Sequence, residues 1–141
     1  MLISVRIYFQ GNDLEPSVLT AMLGVEPSRS HKFGEERTNR QGKVLVAKVG
    51  LWTWQSTDRT EAMTLSDHVQ KLWATFERYV GSISTLPNVE RAWIDVHVLH
   101  EVPATDSNEA CFDLDAKALL ALSQFGLPVE FTVGFVEPEH G

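Results

Sequence analysis

Arg6, Asp95 and His97 are the residues of this chain whose types could support acid–base or ligand chemistry. Each lies in a run where apolar and polar residues alternate, so strand geometry predicts that all three share one polar sheet face. Ser4, Tyr8, Asp113, Glu130 and Thr132 are expected on that face as well. An imidazole titrates near neutrality and beside a carboxylate can act as a general base. A solvent-facing antiparallel sheet shows the same residues by default. Nothing supplies a nucleophile: there is no G-x-S-x-G elbow and no reactive cysteine pattern. We therefore assign no catalytic residues and expect a protein that is not an enzyme.

A second candidate is the segment from Glu26 to Lys48, where six basic residues stand against three acidic ones. That leaves −10 on the rest of a chain whose net charge is −7. Lys32, Arg37 and Lys43, interspersed with Gly34 and Gly42, could hold an anion or an acidic partner. The phosphate-loop sequence G-x-x-x-x-G-K-[ST] is missing, so no nucleotide cofactor is expected. The overall acidity argues against nucleic acid, whose phosphates it would repel. Trp52 and Trp54 fall on one face of a strand; they either pack in the core or, on the uncovered side, would anchor a partner.

Metal chemistry finds no support in the spacing. His97 and His100 are three apart on an expected strand and so point to opposite faces, while His31, His68 and His140 are scattered. Cys111 stands alone, which rules out an intrachain disulfide. No apolar run approaches the roughly 18 residues of a membrane span. The alternating N-terminus lacks the charged-then-apolar order of a signal peptide, so a cytoplasmic location is expected.

The elements that position these residues follow from periodicity. Leu2 to Phe9 reads as a half-buried strand with Ile3, Val5, Ile7 and Phe9 inward. A helix follows, with Asp13 as its expected N-cap, Leu19, Met22 and Leu23 as its inner stripe, and Gly24 as its left-handed end. Residues 28–43 lack an apolar period and are expected to form a long loop. Val44 to Gln55 reads as one long strand with a bulge at Gly50. Thr64 and Asp67 predict a capping box opening the main core helix, whose stripe runs through Leu65, Val69, Leu72, Trp73, Phe76, Val80 and Ile83. Strands are expected at Arg91–His100, Ala110–Leu114 and Val129–Phe135, with a helix carrying Leu119, Leu120, Leu122 and Phe125 before Gly126. Gly24-Val25 and Gly126-Leu127 hint at a duplicated strand–helix unit.

Leu23-Gly24-Val25-Glu26-Pro27, Gly34, Trp52-Thr53-Trp54-Gln55-Ser56, Leu65-Ser66-Asp67-His68 and Phe125-Gly126-Leu127-Pro128-Val129-Glu130-Phe131 occur in an order that resembles the DUF4279 family, uncharacterised and mainly bacterial. The resemblance spans most of the chain. Gly134-Phe135 depart from it where an aromatic such as Tyr is expected near the end of the last strand. It implies a cytoplasmic α+β domain and carries no activity or catalytic residues.

The sequence thus predicts one α+β domain over residues 1–141, with a mostly antiparallel or mixed sheet of about five strands and helices on one face. The preferred topology is ferredoxin-like with an added helix. Function is expected to be non-enzymatic protein interaction, with an unknown partner or another copy of the chain. The contact would use Arg6, Tyr8, Asp95 and His97 on the sheet, Trp52 and Trp54, or the basic Lys32, Arg37 and Lys43. An immunity-type role against a basic toxin is one form of this. The alternative is a small-ligand sensor or enzyme on Arg6, Asp95 and His97.

Overall fold

A computed structural model describes residues 2–56, 63–101 and 111–136. The chain runs β1 (Leu2–Gly11), α1 (Pro16–Leu23), β2 (Arg29–His31), β3 (Glu36–Thr38), β4 (Val44–Val46), β5 (Gly50–Gln55), α2 (Leu65–Phe76), a 3-10 helix (Glu77–Thr85), β6 (Arg91–Glu101), α3 (Ala116–Gln124) and β7 (Val129–Val136). The main sheet has the order β2-β5-β1-β6-β7, antiparallel except for the parallel β6–β7 pair. The units β1-α1-β2-β5-α2-β6 reproduce the ferredoxin-like alternation, with β1 central between β5 and β6. The addition is a helix and a strand together, α3 crossing over to place β7 parallel beside β6.

Val5, Ile7 and Phe9 of β1, Trp52 of β5 and Ile94, Val96 and Val98 of β6 form the inner side of the sheet and are buried against the helices. The capping box on α2 is present in both directions: Asp67 N–H donates to Thr64 Oγ1 and Thr64 N–H to Asp67 Oδ2, each at 3.1 Å. The α2 stripe of Leu65, Val69, Leu72 and Phe76 is buried, while Trp73 is half-buried and stacks edge-on against Phe125 of the α3 end. The α-helix ends at Phe76, and Val80 and Ile83 ride on the tighter 3-10 continuation.

Gly24 ends α1 with φ +65° and bonds back to the Thr20 carbonyl at 2.9 Å, as its position predicts. Asp13 does not cap α1; the N-cap position is Glu15, without a side-chain bond, and Pro16 begins the helix. Met22 is largely exposed, and α1 buries Leu19 and Leu23 instead. In α3, Leu119 and Leu120 are exposed, and the helix buries Ala118, Ala121 and Leu122 instead. No strand forms over 111–114, so Asp113 does not join the sheet; Ala110 lies outside the described residues.

The expected long loop at 28–43 is instead one arm of a β-ribbon. Arg29 opposes Thr53 and His31 opposes Leu51; farther out Glu36 opposes Val46 and Thr38 opposes Val44. The pairing offset is the same in both stretches, so β2–β5 and β3–β4 belong to one hairpin whose ladder is interrupted between them. Ala47 N–H donating to the Glu35 carbonyl and Gly34 N–H to the Ala47 carbonyl bridge them. At the tip Asn39 Oδ1 accepts from the Gln41 and Lys43 N–H groups. Gly50 is not a bulge within a continuous strand. It starts β5 opposite Gly11, and a side chain on either would collide with backbone, the Gly11 carbonyl in one case and the Asn88 carbonyl in the other.

Candidate functional site

The outer face of the sheet gathers polar and aromatic groups in rows set by strand register. Gln55, Arg6, Asp95 and Glu130 form one row across β5, β1, β6 and β7. Arg29, Thr53, Tyr8 and Trp93 form the next, and Ser4, His97 and Thr132 the row on the other side. Arg6, Tyr8, Asp95 and His97 therefore share one surface, with Arg6 directly opposite Asp95 and His97 one row away.

Two clusters order this face. Tyr8 and Trp93 stack with ring centroids 4.8 Å apart and planes 8° from parallel. Arg91 lays its guanidinium 4.2 Å from the Trp93 ring centre while bonding Glu130 at 2.7 Å. Arg6 Nη1 donates to Tyr8 Oη at 3.3 Å. Beside them Asp95, almost fully buried, accepts from the Thr132 hydroxyl at 2.9 Å. Among the described residues, Arg6 Nε and Thr53 Oγ1 are buried with no hydrogen-bond partner. A rigid aromatic pair with a cation over one ring suits recognition of another surface.

Trp52 and Trp54 are not on this face. Trp52 is fully buried, packs on Phe9 and Phe76, and donates from Nε1 to Thr20 Oγ1 at 3.1 Å. Trp54 packs edge-on against Phe76 at 5.4 Å. Their spacing turns them toward the helices, where α2 covers them, so they serve the core and not an uncovered surface. Lys32, Arg37 and Lys43 are exposed on the ribbon side, apart from the Arg6–Asp95 row. Lys32 pairs with Glu15 at 2.8 Å, which raises its pKa through the hydrogen bond and the charge of that carboxylate. It borders an open cleft of about 400 Å³ between α1 and β2, lined by Ser17, Thr20, Glu26, Ser30 and His31.

Sequence reasoning undervalued Trp93 and Arg91, although both share the parity of Asp95 and His97. It also missed a buried pair. Ser56 Oγ accepts from the Val5 N–H at 3.0 Å and lies 2.7 Å from His68 Nδ1, both side chains being sealed from solvent. The serine oxygen has a second lone pair, so either the hydroxyl or Nδ1–H donates in this bond according to the ring tautomer; among the described residues His68 Nε2 has no hydrogen-bond partner. Burial and nearby Lys71 lower the His68 pKa, against a smaller opposing effect of Asp67. The dyad ties the end of β5 to α2 and has no access to a substrate. Among the described residues, no group of three His, Cys, Asp or Glu side chains is placed to hold a metal ion. None of the described helices is long and apolar enough to cross a membrane.

The fold defines a ferredoxin-like α+β domain extended by a helix and a parallel edge strand. The family model for a domain of unknown function, DUF4279, matches residues 2–135. The chain belongs to that family. No curated protein and no solved structure matches it.

Proposed function

We propose that this protein is a non-enzymatic interaction module whose outer sheet face is the contact surface for a protein partner. The observation that supports this reading most is the Tyr8–Trp93 stack with Arg91 over the Trp93 ring, on the side of the sheet away from the helices. Aromatic and arginine side chains dominate interface energetics, and groups already held in place lose little freedom on binding. The acidic body, net −7, suits a basic partner, which is the electrostatic requirement of an immunity-type protein against a basic toxin. Exposed Arg37 and Lys43 on the ribbon lie apart from this face and, being cationic, would oppose rather than steer the approach of a basic partner. A reducing cytoplasmic setting suits Cys111, the one cysteine of the chain, which is free and exposed.

Affinity capture from the source cell with Tyr8→Ala and Trp93→Ala variants tests the reading. A partner retained by the parent and lost from both variants supports it; equal capture by all three refutes it. Arg37→Glu with Lys43→Glu should speed association with a basic partner, chiefly at low salt.

One observation favours a second reading, a small-ligand sensor or enzyme on Arg6, Asp95 and His97. Arg6 and Asp95 face each other in register, and among the described residues the buried Arg6 Nε and Thr53 Oγ1 near them have no hydrogen-bond partner. Thermal-shift screening with small anionic and zwitterionic metabolites discriminates: stabilisation of the parent and not of Arg6→Ala would favour this alternative.

A further inference from the structure

β7 ends the sheet, and among the described residues nothing pairs with its far side. The Ile94 N–H donates to the Pro128 carbonyl, so the parallel ladder to β6 uses the even-numbered residues of β7. The backbone N–H and C=O groups of Val129, Phe131, Val133 and Phe135 therefore point out of the free edge. The side chains of Phe131 and Val133 align with Val96 and Val98 on the inner side, yet Phe131, Val133 and Phe135 are 54%, 40% and 62% exposed. Unused hydrogen-bonding capacity and unused apolar surface thus coincide on the same residues. Protein edges are ordinarily blunted by lysine, proline or a bulge. From Val129 to Val136 the only ionisable residue is Glu130, already engaged by Arg91 at 2.7 Å.

We propose that β7 pairs antiparallel with β7 of a second copy about a two-fold axis, joining the two sheets into one. Directly opposed residues in such a pair share a face, so only registers that set odd against odd keep the apolar side chains together. Centred on Val133, the pairing sets Phe131 against Phe135 of the second copy and Val133 against its counterpart. Centred on Thr132, it sets Phe131 against Val133 and Phe135 against Val129. In either register Glu130 meets an uncharged residue, Val136 or Gly134, so no like charges are opposed when the strand pairs with itself. One strand pair buries less than the roughly 800 Å² per partner of a standard interface, so the dimer is a dissociable one.

This surface is separate from the Tyr8–Trp93 face, and its failure would leave the proposed function standing. Sedimentation of the parent from about 1 μM to about 1 mM should show the average mass doubling from 15.8 kDa. Two copies of net charge −7 repel, so association should strengthen as salt is raised, the opposite of binding to a basic partner. Val133→Pro removes an edge donor that plays no part in the β6 ladder, and Phe131→Lys with Phe135→Lys puts like charges in the pairing strip. Both variants should stay monomeric throughout the range, with thermal melts reporting that they are folded. If Val133→Pro does not fold, the double lysine variant decides alone. The proposal is overturned if the parent remains monomeric at the highest concentration, if folded variants dimerise like the parent, or if Trp93→Ala rather than these changes abolishes the dimer.

Discussion

Along β1, neighbouring residues serve two different surfaces. Val5, Ile7 and Phe9 are fully buried beneath α2, whereas Arg6 and Tyr8, a single residue away, keep part of their surface open beside Trp93 and Asp95. The inner side is apolar and interlocked: Trp52 alone touches Phe9 and Phe76 and bonds Thr20. The outer side is a stacked pair, an arginine over a ring and carboxylates bonded across strands. One strand thus carries stability on one side and, on our reading, recognition on the other.

That contrast can be broken by mutation. Trp52→Ala or Phe76→Ala should cost about 3–5 kcal/mol, through lost burial and the cavity left behind. Denaturant unfolding checks this, and losses under about 1 kcal/mol for both would remove the inner side from its stabilising role. Tyr8→Ala should cost only about 1 kcal/mol, the scale of one exposed aromatic stack, while lowering partner capture. A loss as large as that of Trp52→Ala would make the outer side structural as well. Gly24→Ala should also cost about 1 kcal/mol, because its φ of +65° disfavours a β-carbon.

A pH titration sharpens the same comparison, since His68 belongs wholly to the inner side. Its pKa is lower folded than unfolded, so the folded state favours the neutral ring. The resulting stability is present above the usual 6.5 and is lost as pH falls below that value through the folded pKa. Melts of the parent and of His68→Leu, recorded from neutral to mildly acidic pH, should show the steeper decline in the parent. Parallel slopes would exclude His68 as a contributor. The smallest expected effect is that of chelation, which should leave the melting temperature unchanged; a stoichiometric metal lost together with stability would contradict this.

How much of this was legible depends on whether burial imposes a period. Strand alternation from Leu2 to Phe9 and Arg91 to His100 predicted which residues share a face, because one side of each strand had to be apolar. The capping box and Gly24 were legible because their chemistry is local. The ribbon was not: Glu36, Arg37 and Thr38 are all exposed, so no hydrophobic alternation marks β3, and its pairing with Val44–Val46 rests on backbone bonds that any side chains could accompany. Leu119 and Leu120 misled because the stretch from Ala118 to Leu122 is apolar on every side of the helix. The helix buries Ala118, Ala121 and Leu122, a choice of side that hydropathy alone does not encode. Trp52 and Trp54 were placed together correctly, but parity alone does not say which side of the sheet the helices cover. The Ser56–His68 bond joins two motifs that resemble the family's, and only the fold brings them within 2.7 Å.

The common register of the ribbon carries a consequence for how this chain can change over evolution. Arg29 opposite Thr53 and Thr38 opposite Val44 share one pairing offset on either side of the irregular contact of Gly34 and Glu35 with Ala47. Inserting one residue into a single arm would shift everything beyond it out of phase and exchange exposed Val44 and Val46 with partly covered Leu45. Relatives should therefore lengthen or shorten this arm at matched positions, one residue from each side, while the Asn39–Lys43 tip remains free to vary in sequence. The reach of the arm would be adjustable in steps of a single strand rise, about 3.4 Å, without disturbing the tryptophan at its base.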